Sequence, residues 1–194
     1  AKNEIEILND KHFNPNQLQA YLKQKPNSYF IFGWNPFLNV YNWQNGKGKG
    51  WDKFVTKIGV APVVYEAEQV DNSILNLENR LEYLGYFDSK VESRISVKRK
   101  KVNVTYEVTL GKRYPIRQLS ITLPEGGEFS EAFLKDTSAM TVKVGDYLSE
   151  SALEAETERS SADMRNKGFY TFNKNYYFFE ADTLTYPDSA LLHL

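Results

Sequence analysis

Between Asp71 and Leu84 the apolar residues Ile74, Leu77, Leu81 and Leu84 recur at helical spacing, which predicts a helix buried along one face. Asp71 or Ser73 stands where an N-cap belongs, and Gly85 where a left-handed stop belongs. After Gly85-Tyr86-Phe87 the period drops to two. Val91, Ser93, Ile95 and Val97 alternate with polar residues, a Lys98-Arg99-Lys100-Lys101 tip follows, and Val102, Val104, Tyr106, Val108 and Leu110 alternate again. That pattern predicts a β-hairpin.

The same order recurs downstream. Ser151-Ala152-Leu153-Glu154 reads as a capping box opening a helix that runs to Lys167 and stops at Gly168, before Phe169-Tyr170 and an aromatic strand. Upstream of each long helix lies a short one, Phe13-Asn14-Pro15 through Leu18 and Phe129-Ser130-Glu131 through Leu134, each read as a hydrophobic residue, an N-cap at Asn14 or Ser130 and a short helix. An alternating strand precedes each, with Ile5 and Ile7 in the first case and Leu119, Ile121 and Leu123 in the second. The unit is strand, helix, helix, strand, strand, occurring twice. Gly85 and Gly168 are 83 residues apart but Phe13 and Phe129 are 116 apart, so the first copy carries 33 extra residues between its helices.

Composition adds one oddity. Of 194 residues, 41% are hydrophobic and 25% charged, as in a soluble globular protein of one or two domains. Aromatics reach 14% and are clustered, nine between Tyr29 and Phe54 and seven between Phe169 and Phe179. The first cluster holds all three Trp and coincides with the extra residues, about 26–52, so it reads as an aromatic insertion. Two modules follow from this, 1–111 with the insertion and 112–194 with a closing strand that reads as incomplete. Neither a signal peptide nor an initiator Met precedes Ala1, and the chain reads as a mature or excised piece.

Charge and chemistry narrow the function classes. With 24 basic and 25 acidic residues, no net field favours nucleic acid or an anionic membrane. The absence of cysteine excludes disulfides, thiolate zinc sites and Cys nucleophiles. His12 and His193 are the only histidines, and neither is placed for a triad or metal cluster. Glu78 with Glu82 and Glu66 with Glu68 read as solvated faces, Gly46-Lys47-Gly48-Lys49-Gly50 lacks the Walker spacing, and Lys98 to Lys101 reads as an ordinary turn. The expectation is a non-enzyme without metal or cofactor. Along Tyr170 to Glu180 the strand reading puts Tyr170, Phe172, Tyr176 and Phe178 on one face and Tyr177 and Phe179 on the other. A sheet covered by helices on one side needs only one apolar face, so the surplus is either covered or a partner surface.

Leu81-Glu82-Tyr83-Leu84-Gly85-Tyr86-Phe87 and Met164-Arg165-Asn166-Lys167-Gly168-Phe169-Tyr170, each followed by a hairpin strand, resemble the helix ends of POTRA domains in the BamA/TamA superfamily of outer-membrane assembly proteins. Gly145-Asp146-Tyr147-Leu148 and Tyr114-Pro115-Ile116-Arg117 are similar to the lead-ins of such modules. Leu22-Lys23-Gln24-Lys25-Pro26-Asn27 with the Trp-rich insertion resembles the Bacteroidetes branch. The resemblance implies an α+β fold of two tandem β-α-α-β-β modules, each a three-stranded mixed sheet with two helices on one face, the first enlarged and the second truncated. It also implies a place on the periplasmic side of the outer membrane, ahead of a C-terminal β-barrel. Unfolded β-barrel clients and periplasmic or lipoprotein accessory proteins would be the partners, bound by strand addition at the edges Lys90 to Val97 and Tyr170 to Glu180. Candidate contacts are Val91, Ser93 and Ile95 on the first edge and Tyr176, Tyr177, Phe178 and Phe179 on the second, with Trp34, Phe37 and Trp43 in the insertion. The alternatives are a rigid scaffold docking partners through the insertion, and the POTRA region of a two-partner-type secretion transporter.

Overall fold

The computed structural model describes residues 2–23, 66–98 and 101–194. They belong to two units, Ala1–Leu77 with Val91–Thr109, and Glu78–Lys90 with Leu110–Leu194. In the first unit strand β1 (Lys2–Ile7) is followed by a 3-10 helix (Pro15–Tyr21), helix α1 (Ala67–Tyr83), and strands β2 (Lys90–Lys98) and β3 (Lys101–Thr109). Helix α1 passes into the second unit at Glu78. There the order repeats as β4 (Ile116–Ser120), α2 (Glu128–Asp136), α3 (Glu150–Asn166), β5 (Glu180–Asp182) and β6 (Ala190–His193).

The sheet of the first unit has the order β1-β3-β2, with β1 parallel to β3 and Ile5 beside Tyr106. Period-two alternation sends Ile5, Val104, Tyr106 and Val108 to one face, and all four are buried, as are Leu18 of the 3-10 helix and Val70 and Leu77 of α1. Glu4, Glu6 and Glu107 fall on the other. Asn14 caps the 3-10 helix by accepting the Asn16 N–H at 3.0 Å, with Pro15 in the first helical position. The start of α1 corrects the sequence reading, since neither Asp71 nor Ser73 is its N-cap. Ser73 is fully buried inside the helix, where its hydroxyl donates to the Gln69 carbonyl at 2.6 Å and accepts the Lys23 N–H at 2.8 Å. A hydroxyl that can satisfy the end of a neighbouring segment does not have to stand at its own helix terminus.

Both long helices end alike, and this is the duplication seen in atomic detail. Gly85 (φ 85°) donates to the Glu82 carbonyl and Tyr86 to that of Leu81; Gly168 (φ 102°) donates to Arg165 and Phe169 to Met164. Each is a Schellman cap.

The second sheet has the order β4-β6-β5, β6 running parallel to β4 and antiparallel to β5. Its core is Ile116, Val142, Leu148, Ala190 and Leu192, against which Phe87, Tyr114, Leu119, Leu153 and Phe179 pack. Two further caps differ from expectation. Ser149, two residues before Ser151, caps α3 by accepting the Ala152 N–H at 3.3 Å. Ser130 lies within α2, donating to the Pro124 carbonyl at 2.8 Å, while Gly127 occupies the cap position.

The aromatic segment is the main correction, because Tyr170 to Glu180 is not a strand. Turns occupy 167–168 and 170–171, a 3-10 helix spans Lys174–Tyr176, and only Glu180–Asp182 joins the sheet. Asn173 is the physical reason. Its side chain accepts the Asn175 N–H at 3.0 Å and its carbonyl the Tyr176 N–H at 3.1 Å, which turns the chain where a strand would extend it.

Candidate functional site

Two regions gather residues singled out by sequence. The first is the outer side of β2, the edge strand among the described residues in the order β1-β3-β2. Its face toward the core starts with buried Val91 and half-buried Ser93, then runs outward through Ile95 and Val97, which are 46% and 69% exposed. On the opposite face Arg94 reaches Glu107 of β3 at 2.7 Å and Glu6 of β1 at 3.4 Å, tying all three strands together, with Arg94 and Glu6 mostly in solvent and Glu107 half-buried. Nine residues at about 3.3 Å each give an edge near 30 Å long, and among the described residues no strand pairs with its outer side.

The second region is a groove of ≈ 550 Å³ in the second unit. Thr122, Leu123 and Pro124 after β4, Phe129 and Phe133 of α2, and the stretch from Phe169 to Phe178 form its walls, with His193 and Leu194 at one end. Phe129 packs on Phe169 and Phe172 with ring centroids 5.3 and 4.8 Å apart, Phe172 on Tyr177 at 5.4 Å, and Tyr177 on Phe179 at 6.1 Å. From Tyr176 onward the alternation expected of a strand survives: Tyr177 and Phe179 turn inward, while Tyr176 and Phe178 are exposed. Burial pushes the Tyr177 phenol up from its ordinary value. His193 is braced at both nitrogens, 2.7 Å from the Ser120 hydroxyl and 3.1 Å from that of Thr122.

Trp34, Phe37 and Trp43, with the whole insertion, lie outside the described residues. The walls contributed by Leu123, Pro124, Phe129 and Phe133 were missed because three separated stretches build them. A second omission is an ionic network between α2 and α3. Arg159 donates to Asp136 at 2.7 Å and to Glu156 at 2.7 Å, Ser160 donates to Asp136 at 3.1 Å, and the Thr141 N–H and hydroxyl donate to Glu156 at 2.8 and 2.6 Å. Burial works to raise both carboxyls, but the hydrogen bonds, led by those from Arg159, outweigh it and hold both below the usual carboxylate range. The same contacts push the guanidinium up. The signal was the Glu156/Arg159 pair at helical i,i+3 spacing.

Among the described residues no group of three His, Asp or Glu side chains is placed to hold a metal ion, and no helix is long and apolar enough to cross a membrane. Among the described residues the arrangement presents one long edge strand and one aromatic groove.

Strand-helix-helix-strand-strand order, twice, with the first strand parallel to the last each time, defines a tandem α+β module protein. The family model for POTRA, described as a surface antigen variable number repeat, matches residues 3–111, and the chain belongs to that family. No curated protein matches. Among solved structures, BamA from Haemophilus ducreyi lacking POTRA domains 1-3 is similar at 17% identity and TM-score 0.41, over 70% of this chain, which spans 24% of that one. POTRA3-5 of BamA from Haemophilus influenzae is similar at 12% identity and TM-score 0.35, covering 99% of this chain and 94% of that one. POTRA1-2 of Omp85 from Anabaena gives 10% identity and TM-score 0.34, covering 100% and 91%. Likeness of this degree says nothing of activity or partners.

Proposed function

We propose that the chain works by binding and not by catalysis, holding extended polypeptide segments as added strands along β2. The reading places it on the periplasmic side of the outer membrane, in a factor that assembles or translocates outer-membrane proteins, with unfolded β-barrel segments as clients. The observation that carries it is the nine-residue edge strand β2, with which no other described strand pairs on its outer side and whose outer half leaves Ile95 and Val97 exposed. Unpaired backbone N–H and C=O groups bind any extended chain, while the exposed apolar pair favours one with apolar residues at alternate positions. Family membership supports the reading. Lys90, Glu92 and Arg94 along the edge disfavour indiscriminate pairing with like strands.

Proline scanning of β2 tests this. Successive amides point to opposite sides of a strand, so one of Ser93→Pro and Arg94→Pro removes an outward N–H and the other a bond to β3. The variant that keeps its circular dichroism spectrum is expected to bind barrel-derived peptides about tenfold more weakly. Unchanged affinity in that folded variant rejects strand addition at β2.

A further inference from the structure

We propose that Arg113, held against the rings of Tyr86 and Tyr147 in the second unit, anchors a carboxylate on a partner polypeptide, an aspartate or glutamate with an aromatic or apolar neighbour. The site shares no residue with the β2 edge and stands whether or not that edge binds.

Backbone pairing fixes the three side chains before any partner arrives. Phe87 and Lys112 exchange N–H···O=C bonds of 2.8 and 2.9 Å, and that antiparallel register sets Tyr86 across from Arg113. Tyr86 follows the helix stop, its N–H donating to the Leu81 carbonyl at 2.9 Å and its carbonyl accepting the Ser89 hydroxyl at 2.8 Å. On the other flank Leu148 N–H donates to the Tyr114 carbonyl and Ile116 N–H to that of Asp146, both at 2.8 Å, which pins Tyr147 beside Pro115. The guanidinium carbon lies 4.8 Å from the centre of the Tyr86 ring and 4.0 Å from that of Tyr147. Attraction to two ring faces holds the group in place.

What this placement lacks is an anion. Arg159 and Arg94 each reach two carboxylates, but among the described residues nothing accepts a hydrogen bond from Arg113, and its Nε–H is buried without a partner. Asp146, next to Tyr147 in the chain, accepts the Lys143 N–H at 2.8 Å instead. Where rings displace water from a guanidinium, its unused fork of donors gains more from an anion than it would in bulk solvent. The stacked side chain also has little rotamer freedom left to lose on binding.

Charge and shape select the anion. Lys112, the neighbouring base, donates to the Pro187 carbonyl and to Asp188 at 2.9 Å, so of the two bases Arg113 alone is uncommitted. One planar fork with one positive charge matches a carboxylate, whereas a phosphate group carries close to two negative charges. Around the fork lies ring surface, with Tyr147 49% exposed. An apolar residue beside the carboxylate would cover that ring and complete the removal of water. Arginine and tyrosine packed together in this way are the residue types that anchor protein interfaces.

The test follows the isotope-labelled 194-residue chain by NMR, reading the Nε–H signal of Arg113 and the amides of 146–148. The probes are two capped tripeptides, phenylalanine-glutamate-phenylalanine and its glutamine twin, with sodium chloride and inorganic phosphate as controls. The glutamate peptide is expected to shift the Arg113 signal saturably and to bind about tenfold more tightly than its twin. Arg113→Lys, which loses the fork, and Tyr147→Ala, which loses an exposed ring, should each weaken it about tenfold. Arg117→Lys, at a guanidinium over the Tyr186 ring at 4.4 Å, and the folded β2 proline variant should bind as the parent chain does. Equal affinity for the two peptides overturns the proposal. So does a loss in Arg117→Lys as large as that in Arg113→Lys, which would mark a diffuse field, or a loss in the β2 variant, which would put the peptide on that edge. Saturation of the Arg113 signal by phosphate at lower concentration than the glutamate peptide overturns the choice of a carboxylate. Unchanged affinity in a Tyr147→Ala chain that keeps its circular dichroism spectrum overturns the site even where Arg113→Lys does not fold.

Discussion

The two sheets share one strand order and one parallel pairing, yet the strand beside the closing one is nine residues long in the first unit and three in the second. In the first, Lys90 to Lys98 alternates without a turn residue and runs as one edge. The second has as much aromatic and β-branched material upstream of Glu180, but Asn173 and Asn175 lie within it and the chain turns there. The same topology therefore presents two different surfaces, an edge and a groove, and the selection is made by local turn chemistry and not by hydrophobicity.

The units also carry the same ionic motif in opposite settings, an arginine between two carboxylates. Arg159 sits between Asp136 and Glu156, whose side chains are 5% and 2% exposed, whereas Arg94 and its partner Glu6 are mostly in solvent. Arg159→Ala takes the closest cation from two buried carboxylates, leaving Asp136 with Lys167 at 3.8 Å, and should cost about 3 kcal/mol, against about 0.5 kcal/mol for Arg94→Ala, in urea denaturation followed by circular dichroism. Acid sharpens the contrast. Asp136 and Glu156 have folded-state pKa values below their unfolded ones, so their contribution is present above pH about 4 and is lost as pH falls through the folded values. In Arg159→Ala both carboxyls lose their leading hydrogen-bond donor, while Ser160 and Thr141 still donate to them, so their folded-state values rise above the parent's and the gap between the variant and the parent chain should narrow below pH about 4. A gap that stays constant with pH would mean that the network contributes nothing through its charges.

The paired Schellman glycines give the next contrast. Both have positive φ, but a Cβ at Gly85 would lie 2.3 Å from the Leu148 carbonyl oxygen and 2.9 Å from the Ser149 Cβ, whereas at Gly168 it would meet nothing within 4 Å. Alanine at 168 should therefore cost about 1 kcal/mol from backbone strain alone. At 85 the added displacement of rigid backbone should bring the loss to about 2.5 kcal/mol. Equal losses in urea denaturation would show that Leu148 and Ser149 move away freely.

What could be read from the chain follows from the range of each signal. Helix period, hairpin alternation and the two stop glycines are local, so the duplication and its strand-helix-helix-strand-strand order were legible from offsets between Gly85 and Gly168 and between Phe13 and Phe129. Helix starts were less so, because each has several hydroxyls nearby and only tertiary partners decide among them. Ser73 serves Lys23, Ser130 serves Pro124, and Ser149 rather than Ser151 caps α3. Counting aromatics along 170–180 without weighing Asn173 turned a capped turn into a strand. The groove could not be seen at all, since its walls come from stretches around Thr122, Phe129 and Phe172 that only folding brings together.

Removing that cap has one of the smaller effects and bears most directly on the difference between the sheets. Asn173→Ala takes away the acceptor for the Asn175 N–H while leaving the aromatic packing of Phe172 and Tyr177 in place. By analogy with helix caps the loss should be about 0.5–1 kcal/mol, at the edge of what denaturation resolves. Hydrogen exchange separates the two ways it can be lost. If Asn173 alone holds the segment in turns, amides of 174–176 should exchange faster in the variant, and the strand-forming residues around them should show more extended character in their chemical shifts. Unaltered exchange would place the cause of the turn elsewhere, in the packing of Phe172 and Tyr177 against Phe129 and Phe133. The second sheet would then keep its three-residue edge whatever stood at position 173.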